Sequence, residues 1–228
     1  MVCVLLSSCK KDTVDSTSIL GLDYYPTKIG KFVVYDVDST VYNDLTLDTI
    51  TYKYRIKEKF VANFTDNEGK LAIRLERYIK MYNPNKSYDS IPYTIKEVWM
   101  INADEKKIQV VESNIRYTKL IFPVELNANW KGNANNNSGQ TIYSYLSIDK
   151  AETVGSTALK NVLTVKQHDD RTLISVKYYV EKYAKDVGLV YREIKDIYSN
   201  TVVANIPVEQ RIEKGLIYKQ KLVSYGNE

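Results

Sequence analysis

The chain has 228 residues, of which 44% are hydrophobic and 26% are charged, and its formal net charge is +4. This composition is ordinary for a globular protein, and the length is sufficient for one domain with an adequate core. Basic and acidic residues alternate along the chain, whereas a nucleic-acid-binding surface needs a concentrated basic stripe, so we expect no nucleic-acid partner. The unusual number is 20 Tyr, against 4 Phe and 2 Trp.

The amino-terminal segment is a short apolar run, residues 2–6, followed by Leu6-Ser7-Ser8-Cys9 and two lysines. The run is too short to cross a bilayer, which takes ~20 apolar residues. Leu, two small residues and a Cys after an apolar segment resemble the lipobox of bacterial lipoproteins. The resemblance implies that residues 1–8 are the remnant of a signal peptide and that Cys9 is acylated, with chains such as palmitate. The alternative is a soluble terminus with a chance Leu-x-x-Cys.

No Lys or Arg precedes the apolar run, as the start of a complete signal peptide would require, so we expect the true start codon to lie upstream. Removal of residues 1–8 would leave Cys9 as the one cysteine, already acylated, so we expect no disulfide. Residues 9–22 are polar, lack periodicity and predict a lipidated flexible tether. Residues 23–228 are expected to form a single domain.

Period-two alternation of apolar and polar residues dominates from residue 31 onward and predicts half-buried β-strands. The apolar positions of these runs are Ile50, Tyr52, Tyr54, Ile56, Phe60, Ala62 and Phe64; Leu71, Ile73, Leu75, Ile79 and Met81; Ile91, Tyr93, Ile95, Trp99 and Ile101; Ile142, Leu146 and Ile148; Ile174, Val176, Tyr178 and Val180; and Val190, Ile194 and Tyr198. The stretch 71–82 also fits a helix, because Arg, Leu, Glu and Lys are good helix formers, but we assign it as a strand.

Turn signals separate the runs at residues 65–69, 83–85, 102–104, 168–171 and 199–200. Short turns between long alternating strands predict antiparallel hairpins in chain order. About ten such strands do not stay flat, because sheets twist as strands are added. We therefore predict a mainly-β domain with a single antiparallel curved sheet, either a half-barrel or a partly closed barrel. A β-sandwich is the alternative.

Three segments carry a family resemblance. They are Tyr24-Tyr25-Pro26 with Ile29-Gly30-Lys31-Phe32, Phe122-Pro123 followed by Trp130, and residues 183–190. Together they resemble small cell-envelope lipoproteins of Bacteroidota-type bacteria, whose function is unassigned, and Cys9-Lys10-Lys11-Asp12 is similar to their mature start. The resemblance implies an envelope β domain, some of whose relatives are similar to lipid-carrier half-barrels, and it implies no activity. It points to the outer membrane and leaves the periplasmic or surface side open.

The chain offers few residues for catalysis or metal binding. His168 is the only histidine, and beside Asp169 and Asp170 it is expected to lie in a polar hairpin turn. A zinc site needs further His or Cys ligands, and the sequence has no nucleophile elbow and no phosphate-binding glycine loop, so we expect no metal, no cofactor and no enzyme. Carboxylates brought together by folding leave no local signature, so a hydrolase stays an alternative.

One aromatic group is a candidate ligand surface. Tyr143 and Tyr145 alternate with Ile142, Leu146 and Ile148, so if the aliphatic residues are core the two tyrosines point outward, with Trp130 close by. Exposed aromatic rings favour carbohydrate stacking or a partner surface. The alternative is that Tyr simply suits half-buried strands.

Five Asp-Ser or Asp-Thr motifs resemble the O-glycosylation acceptor of Bacteroidota envelope proteins. Their acceptor residues are Thr13, Ser16, Ser39, Thr49 and Ser90. Because exported proteins alone meet that machinery, the motifs favour export.

Three hypotheses for function follow. The first is a non-catalytic envelope lipoprotein, anchored in the membrane by its lipid, whose β domain binds a protein partner, a glycan or an apolar ligand. The second is a lipid or lipoprotein carrier of half-barrel type, which needs a continuous apolar cavity. The third is a hydrolase, which needs a cleft with paired carboxylates.

Overall fold

The computed structural model describes residues 19–46, 48–137 and 139–228. Within these residues the chain forms twelve β-strands and three short 3₁₀ turns. The strands are β1 (Lys31–Tyr42), β2 (Thr49–Thr65), β3 (Leu71–Met81), β4 (Thr94–Ala103), β5 (Lys107–Glu112), β6 (Ile115–Ile121), β7 (Asn129–Lys131), β8 (Ile142–Val154), β9 (Thr157–Arg171), β10 (Ser175–Ala184), β11 (Gly188–Tyr198) and β12 (Lys214–Asn227). The assignment of residues 71–82 as a strand is confirmed by β3.

All twelve strands belong to one antiparallel sheet in the order β6-β5-β4-β3-β2-β1-β12-β11-β10-β9-β8-β7. Consecutive strands are neighbours in the sheet except β6 and β7, which form its two edges, and β1 joins the two halves by pairing with β12. The sheet curls into a nearly closed barrel with one seam, between β6 and β7. The prediction of a mainly-β domain with a single curved sheet is confirmed, and the β-sandwich alternative is wrong.

Side chains bridge the seam where the strand ladder is interrupted. The indole Nε1 of Trp130 donates to the carbonyl of Thr118 on β6 at 2.8 Å, and the amide of Thr118 donates to the carbonyl of Gly132 at 2.7 Å. The hydroxyl of Tyr145 donates to the carbonyl of Ile121 at 2.6 Å and accepts from the amide of Ile121 at 2.9 Å. These contacts satisfy β6 backbone groups that an edge strand would otherwise leave unpaired.

The segment before β1 closes one end of the barrel, which we call the base. The Leu20 carbonyl accepts from the amide of Val124 at 3.0 Å, and the Asp23 carbonyl accepts from the amide of Asp186 at 2.8 Å. The Tyr24 ring is buried, and its hydroxyl donates to Asp149 at 2.8 Å. The last residues of the predicted tether (9–22) thus already contact the domain. Its earlier residues, Cys9 among them, lie outside the described residues.

The expectation that Trp130, Tyr143 and Tyr145 form an exposed patch is wrong. The three rings lie together, with centroids 5.9 and 4.7 Å from Trp130, but they face into the barrel and are 8%, 5% and 0% exposed. The aliphatic residues of the opposite face take the outside, and Leu146 is 45% exposed. Tyr143 and Tyr145 face inward because a tyrosine buries more area than a leucine and because the Tyr145 hydroxyl is needed at the seam.

We expect replacement of Tyr145 by alanine to lower the free energy of unfolding by about 3–5 kcal/mol, as for other buried aromatic residues. The change removes a buried ring and leaves both Ile121 backbone groups unpaired. Leu146→Ala, one residue away on the outer face, is the matched control and should stay within about 0.5 kcal/mol of wild type. Urea unfolding measures both. A Tyr145→Ala protein as stable as the control would contradict the inward placement.

Candidate ligand cavity

A cavity of about 320 Å³ opens at the end of the barrel opposite the base. It lies between the end of β5, the start of β6, the β7–β8 connection and the adjoining ends of β9, β10 and β11. Its lining residues are Glu112, Tyr117, Lys119, Asn133, Thr141, Tyr143, Gln167, His168, Lys177, Tyr179, Glu181, Arg192 and Ile194. The volume lies at the low end of the range for small-ligand sites, ~300–1,000 Å³.

Four charged side chains form the floor of this cavity. The ammonium of Lys119 lies 2.8 Å from Glu112 and 3.0 Å from Glu181. The guanidinium of Arg192 lies 3.1 Å from Glu112 and 2.7 Å from Glu181. Each cation therefore contacts both carboxylates, which compensates the cost of burying the four charges. We refer to these residues as the floor cluster.

Glu181 is the centre of the floor cluster, with its side chain fully buried. Its second carboxylate oxygen accepts from Gln167 and from the hydroxyl of Tyr183, each at 2.6 Å. Burial alone would raise the pKa of Glu181, but Lys119 and Arg192 outweigh burial and lower it. Both carboxylate oxygens of Glu181 are therefore fully engaged by protein donors.

The other members of the floor cluster are held in their charged forms in the same way. Burial would raise the pKa of Glu112, but Arg192 and Lys119 lower it to about 2. Burial would lower the pKa of Lys119, but Glu112 and Glu181 raise it above its ordinary value. A general acid at neutral pH needs a carboxyl group whose pKa is raised, so neither carboxyl of the floor cluster is poised to donate a proton.

The band of buried charges continues across the barrel towards β2. Arg77 lies 2.8 Å from Glu58 and also pairs with Glu97. The guanidinium of Arg77 stacks 3.8 Å from the ring centroid of Trp99, and Arg192 lies 5.6 Å from the same ring. Trp99 thus connects the floor cluster to this second group by cation–π contacts.

Aromatic and polar side chains form the walls of the cavity. Tyr143 packs directly on Gly132, where an added Cβ would lie 2.3 Å from the ring. Tyr179 donates to Asp196 at 2.7 Å and contacts the ring of His168 edge-on, with centroids 5.3 Å apart. A residue larger than glycine at position 132 would therefore displace the Tyr143 ring.

His168 lies in β9 and not in a hairpin turn, so that expectation is wrong. The turn comes after Arg171, and the side chain of His168 is 26% exposed at the cavity wall. Its Nδ1 lies 3.3 Å from Asp170. In the described part of the chain no group of three or more His, Cys, Asp or Glu side chains could hold a metal ion.

The residues that the sequence predicted as sites lie in different parts of the structure. Tyr143 lines the cavity, whereas Trp130 and Tyr145 belong to the core and the seam. Cys9, Thr13 and Ser16 lie outside the described residues. Among the other glycosylation candidates, Thr49 at the start of β2 and Ser90 in a 3₁₀ turn are exposed, while Ser39 lies within β1 between Tyr52 and Tyr218.

Sequence reasoning missed the floor cluster and misread the face of β10. We assigned the apolar face of β10 to Val176, Tyr178 and Val180, yet the barrel interior receives Tyr179, Glu181 and Tyr183. Val176 and Val180 are also buried, because neighbouring segments cover the outer face of this strand. The available signal was the alternation Lys177, Tyr179, Glu181, Tyr183, in which charges and tyrosines share one face.

A second concavity, of about 480 Å³, lies on the outside between the β9–β10 and β11–β12 turns. Aliphatic side chains line much of it, among them Leu173 and Val202, which are 72% and 58% exposed. We refer to this concavity as the apolar groove.

Comparison with known proteins gives the following similarities. No family model matches the chain, and no curated protein matches it. A Bacteroides fragilis protein, provisionally described as exported and having a YmcC-like fold, is similar in structure, with a TM-score of 0.47, 6% identity and coverage of 89% of this chain and 98% of that one. A Parabacteroides distasonis protein, provisionally described as a lipoprotein, has a TM-score of 0.40, 10% identity and the same coverages. In the described ranges, no helix is long and apolar enough to span a membrane.

We expect the stability of the protein to fall as the pH is lowered from about 4.5 towards 2. The pKa of Glu112 is lowered in the folded state, so its contribution is present above the unfolded pKa and is lost as the pH falls through the folded value of about 2. The loss is on the order of 3 kcal/mol for a shift of this size. Urea unfolding across this pH range measures it.

The variant Glu112→Gln tests whether Glu112 is responsible for this loss of stability in acid. This variant should be less stable at neutral pH and should lose part of the acid dependence, while Glu105→Gln, at an exposed position, should keep the wild-type profile. An identical acid profile for Glu112→Gln and wild type would contradict the role of the floor cluster.

Proposed function

We propose that this chain is a non-catalytic lipoprotein of the bacterial cell envelope, anchored in the outer membrane through Cys9, whose barrel binds a saccharide in the cavity above the floor cluster. The observation that carries the proposal is the composition of the cavity. Aromatic rings and hydrogen-bonding groups converge on one concave site at the open end of the barrel.

Saccharide binding fits this lining on physical grounds. Sugars present apolar ring faces that pack on aromatic side chains and hydroxyls that need hydrogen-bond partners. Tyr117, Tyr143 and Tyr179 supply rings, and Thr141 and Gln167 supply polar groups, all at the same cavity. A lipid would instead need an apolar surface, and half of this lining is charged or amide-bearing.

The carrier and hydrolase hypotheses find less support. A lipid carrier needs a continuous apolar cavity, whereas Ile56, Leu75, Ile101 and Leu120 pack together in the barrel interior, and the space beside Tyr25 amounts to about 10 Å³. A glycoside hydrolase needs one carboxyl group that donates a proton. Glu112 and Glu181 are held ionised by Lys119 and Arg192, which favours a binding role.

Binding of the purified protein to an array of defined oligosaccharides tests the saccharide proposal. We expect saturable binding to a subset of the array, and Tyr117→Ala should weaken it by about two- to tenfold, since an aromatic contact contributes about 0.5–1.5 kcal/mol. Tyr52→Ala is the matched control, because Tyr52 is 45% exposed outside the cavity. Failure to bind any oligosaccharide, or equal losses in both variants, would refute the proposal. If the protein bound laurate and no oligosaccharide, a ligand site in the apolar groove would be favoured instead.

Membrane attachment through Cys9 has its own test. Expressed behind a complete signal peptide, the wild-type chain should fractionate with membranes, whereas Cys9→Ser should be released into the soluble fraction. Each buried acyl CH₂ contributes about 0.8 kcal/mol, so two or three chains make an essentially permanent anchor. A Cys3→Ser variant controls for the loss of a cysteine. Membrane retention of Cys9→Ser equal to that of wild type would show that the anchor lies elsewhere.

A further inference from the structure

The carboxylate acceptors at the floor of the cavity are already used by the protein. Glu181 accepts four hydrogen bonds or ion-pair contacts, from Lys119, Arg192, Gln167 and Tyr183. Glu112 contacts the same two cations. A sugar hydroxyl that needs an acceptor therefore finds no free carboxylate oxygen on Glu181.

Asn133 is engaged in the same way. Its side-chain oxygen accepts from the amide of Thr141 at 2.8 Å, and its side-chain nitrogen donates to the carbonyl of Gly139. The side-chain amide of Asn133 could otherwise both donate to and accept from a sugar hydroxyl. Here it is used to hold the β7–β8 connection.

Several hydrogen-bond donors remain available at the cavity. An ammonium has three N–H donors, and Lys119 uses two of them on Glu112 and Glu181. The hydroxyls of Tyr117 and Tyr143 make no hydrogen bond within the described residues. Lys177 adds a second ammonium at the wall, near the ring of Tyr198.

The net charge of the side chains that line the cavity also favours an anionic ligand. The lining holds the cations Lys119, Lys177 and Arg192 and the anions Glu112 and Glu181, so cations exceed anions by one. Asp170 and Asp196 are the cross-strand neighbours of Lys177, but they do not line the cavity. A cavity with spare donors and excess positive charge is complementary to an anionic oxygen.

We propose that the cavity selects acidic saccharides, and that the ammonium groups of Lys119 and Lys177 receive the carboxylate of a uronic-acid-type sugar. This inference rests on the proposed saccharide binding and adds the charge of the ligand. A carboxylate is an acceptor alone, so it can take N–H donors from both ammonium groups, and the carboxylates of Glu112 and Glu181, which would repel it, are each paired with two cations.

Two matched pairs of trisaccharides test the inference by isothermal titration calorimetry. The pairs are cellotriose with its fully C6-oxidised counterpart and α-1,4-linked galactotriose with α-1,4-linked trigalacturonic acid, so each pair differs in carboxylate content alone. We expect the acidic member of at least one pair to bind about tenfold tighter or better, with an affinity that falls as salt is added.

Charge-removing variants separate the possible outcomes. Lys177→Gln should weaken the acidic ligand several-fold more than the neutral one, whereas Lys166→Gln, on β9 but not lining the cavity, should change neither. Equal affinity within both pairs would overturn the inference and leave saccharide binding intact. Binding of no trisaccharide here and of no oligosaccharide on the array would refute both proposals. An acidic preference unchanged by Lys177→Gln but lost in Lys166→Gln would place the anion outside the cavity and overturn the inference.

Discussion

Closure of the sheet is the constraint on which the rest of this structure depends. A twelve-strand antiparallel sheet leaves two edges, and the backbone N–H and C=O groups of β6 and β7 need partners. Here Trp130 and Tyr145 supply part of the missing ladder with an indole N–H and a phenol hydroxyl. Leucine or phenylalanine at these positions could fill the space but could not pair the backbone. The aromatic residues are therefore placed inward by hydrogen bonding as well as by area.

Once the barrel closes, its interior divides into an apolar part at the base and a charged part beneath the cavity. A buried ion-pair cluster is weak evidence for stability, because apolar residues of the same volume often stabilise a core equally well or better. Removing one partner is costly, since it leaves another charge buried and unpaired. The floor cluster of Glu112, Lys119, Glu181 and Arg192 is thus an unusual use of the interior, and it lies beneath an open cavity.

The sequence predicted the strands and their antiparallel order well, because alternation and turn chemistry are local. Leu71–Met81 could have been a helix on propensity, yet the alternation of its apolar residues was the better guide. The inward face of β8 was predicted wrongly, because Ile142, Leu146 and Ile148 look more like core than Tyr143 and Tyr145. Hydropathy does not record that a tyrosine hydroxyl is needed at a seam formed by a distant strand.

The cavity could not be predicted for a related reason. Lys119 and Glu181 are 62 residues apart in the chain, and Arg192 and Glu112 are 80 apart, so no window of sequence contains the cluster. Each charged residue alone looks like part of a solvated strand face. Their inward orientation follows from barrel closure, which brings β5 and β6 opposite β10 and β11. The strand order alone would not have shown that these charged residues meet, because they come together only when the sheet closes at the seam between β6 and β7.

The base and the cavity lie at opposite ends of the barrel, so their positions determine how the proposed membrane attachment would affect access to the cavity. The segment from Leu20 to Tyr24 closes the base, where it contacts Val124, Asp149 and Asp186. The cavity opens at the opposite end, so a lipid on Cys9 would attach to the side of the domain away from the cavity. Residues 10–18 add at most ~3.5 Å each to the reach of the anchor, whatever their conformation. Under the proposed function, attachment at the base would leave the cavity free to face away from the membrane.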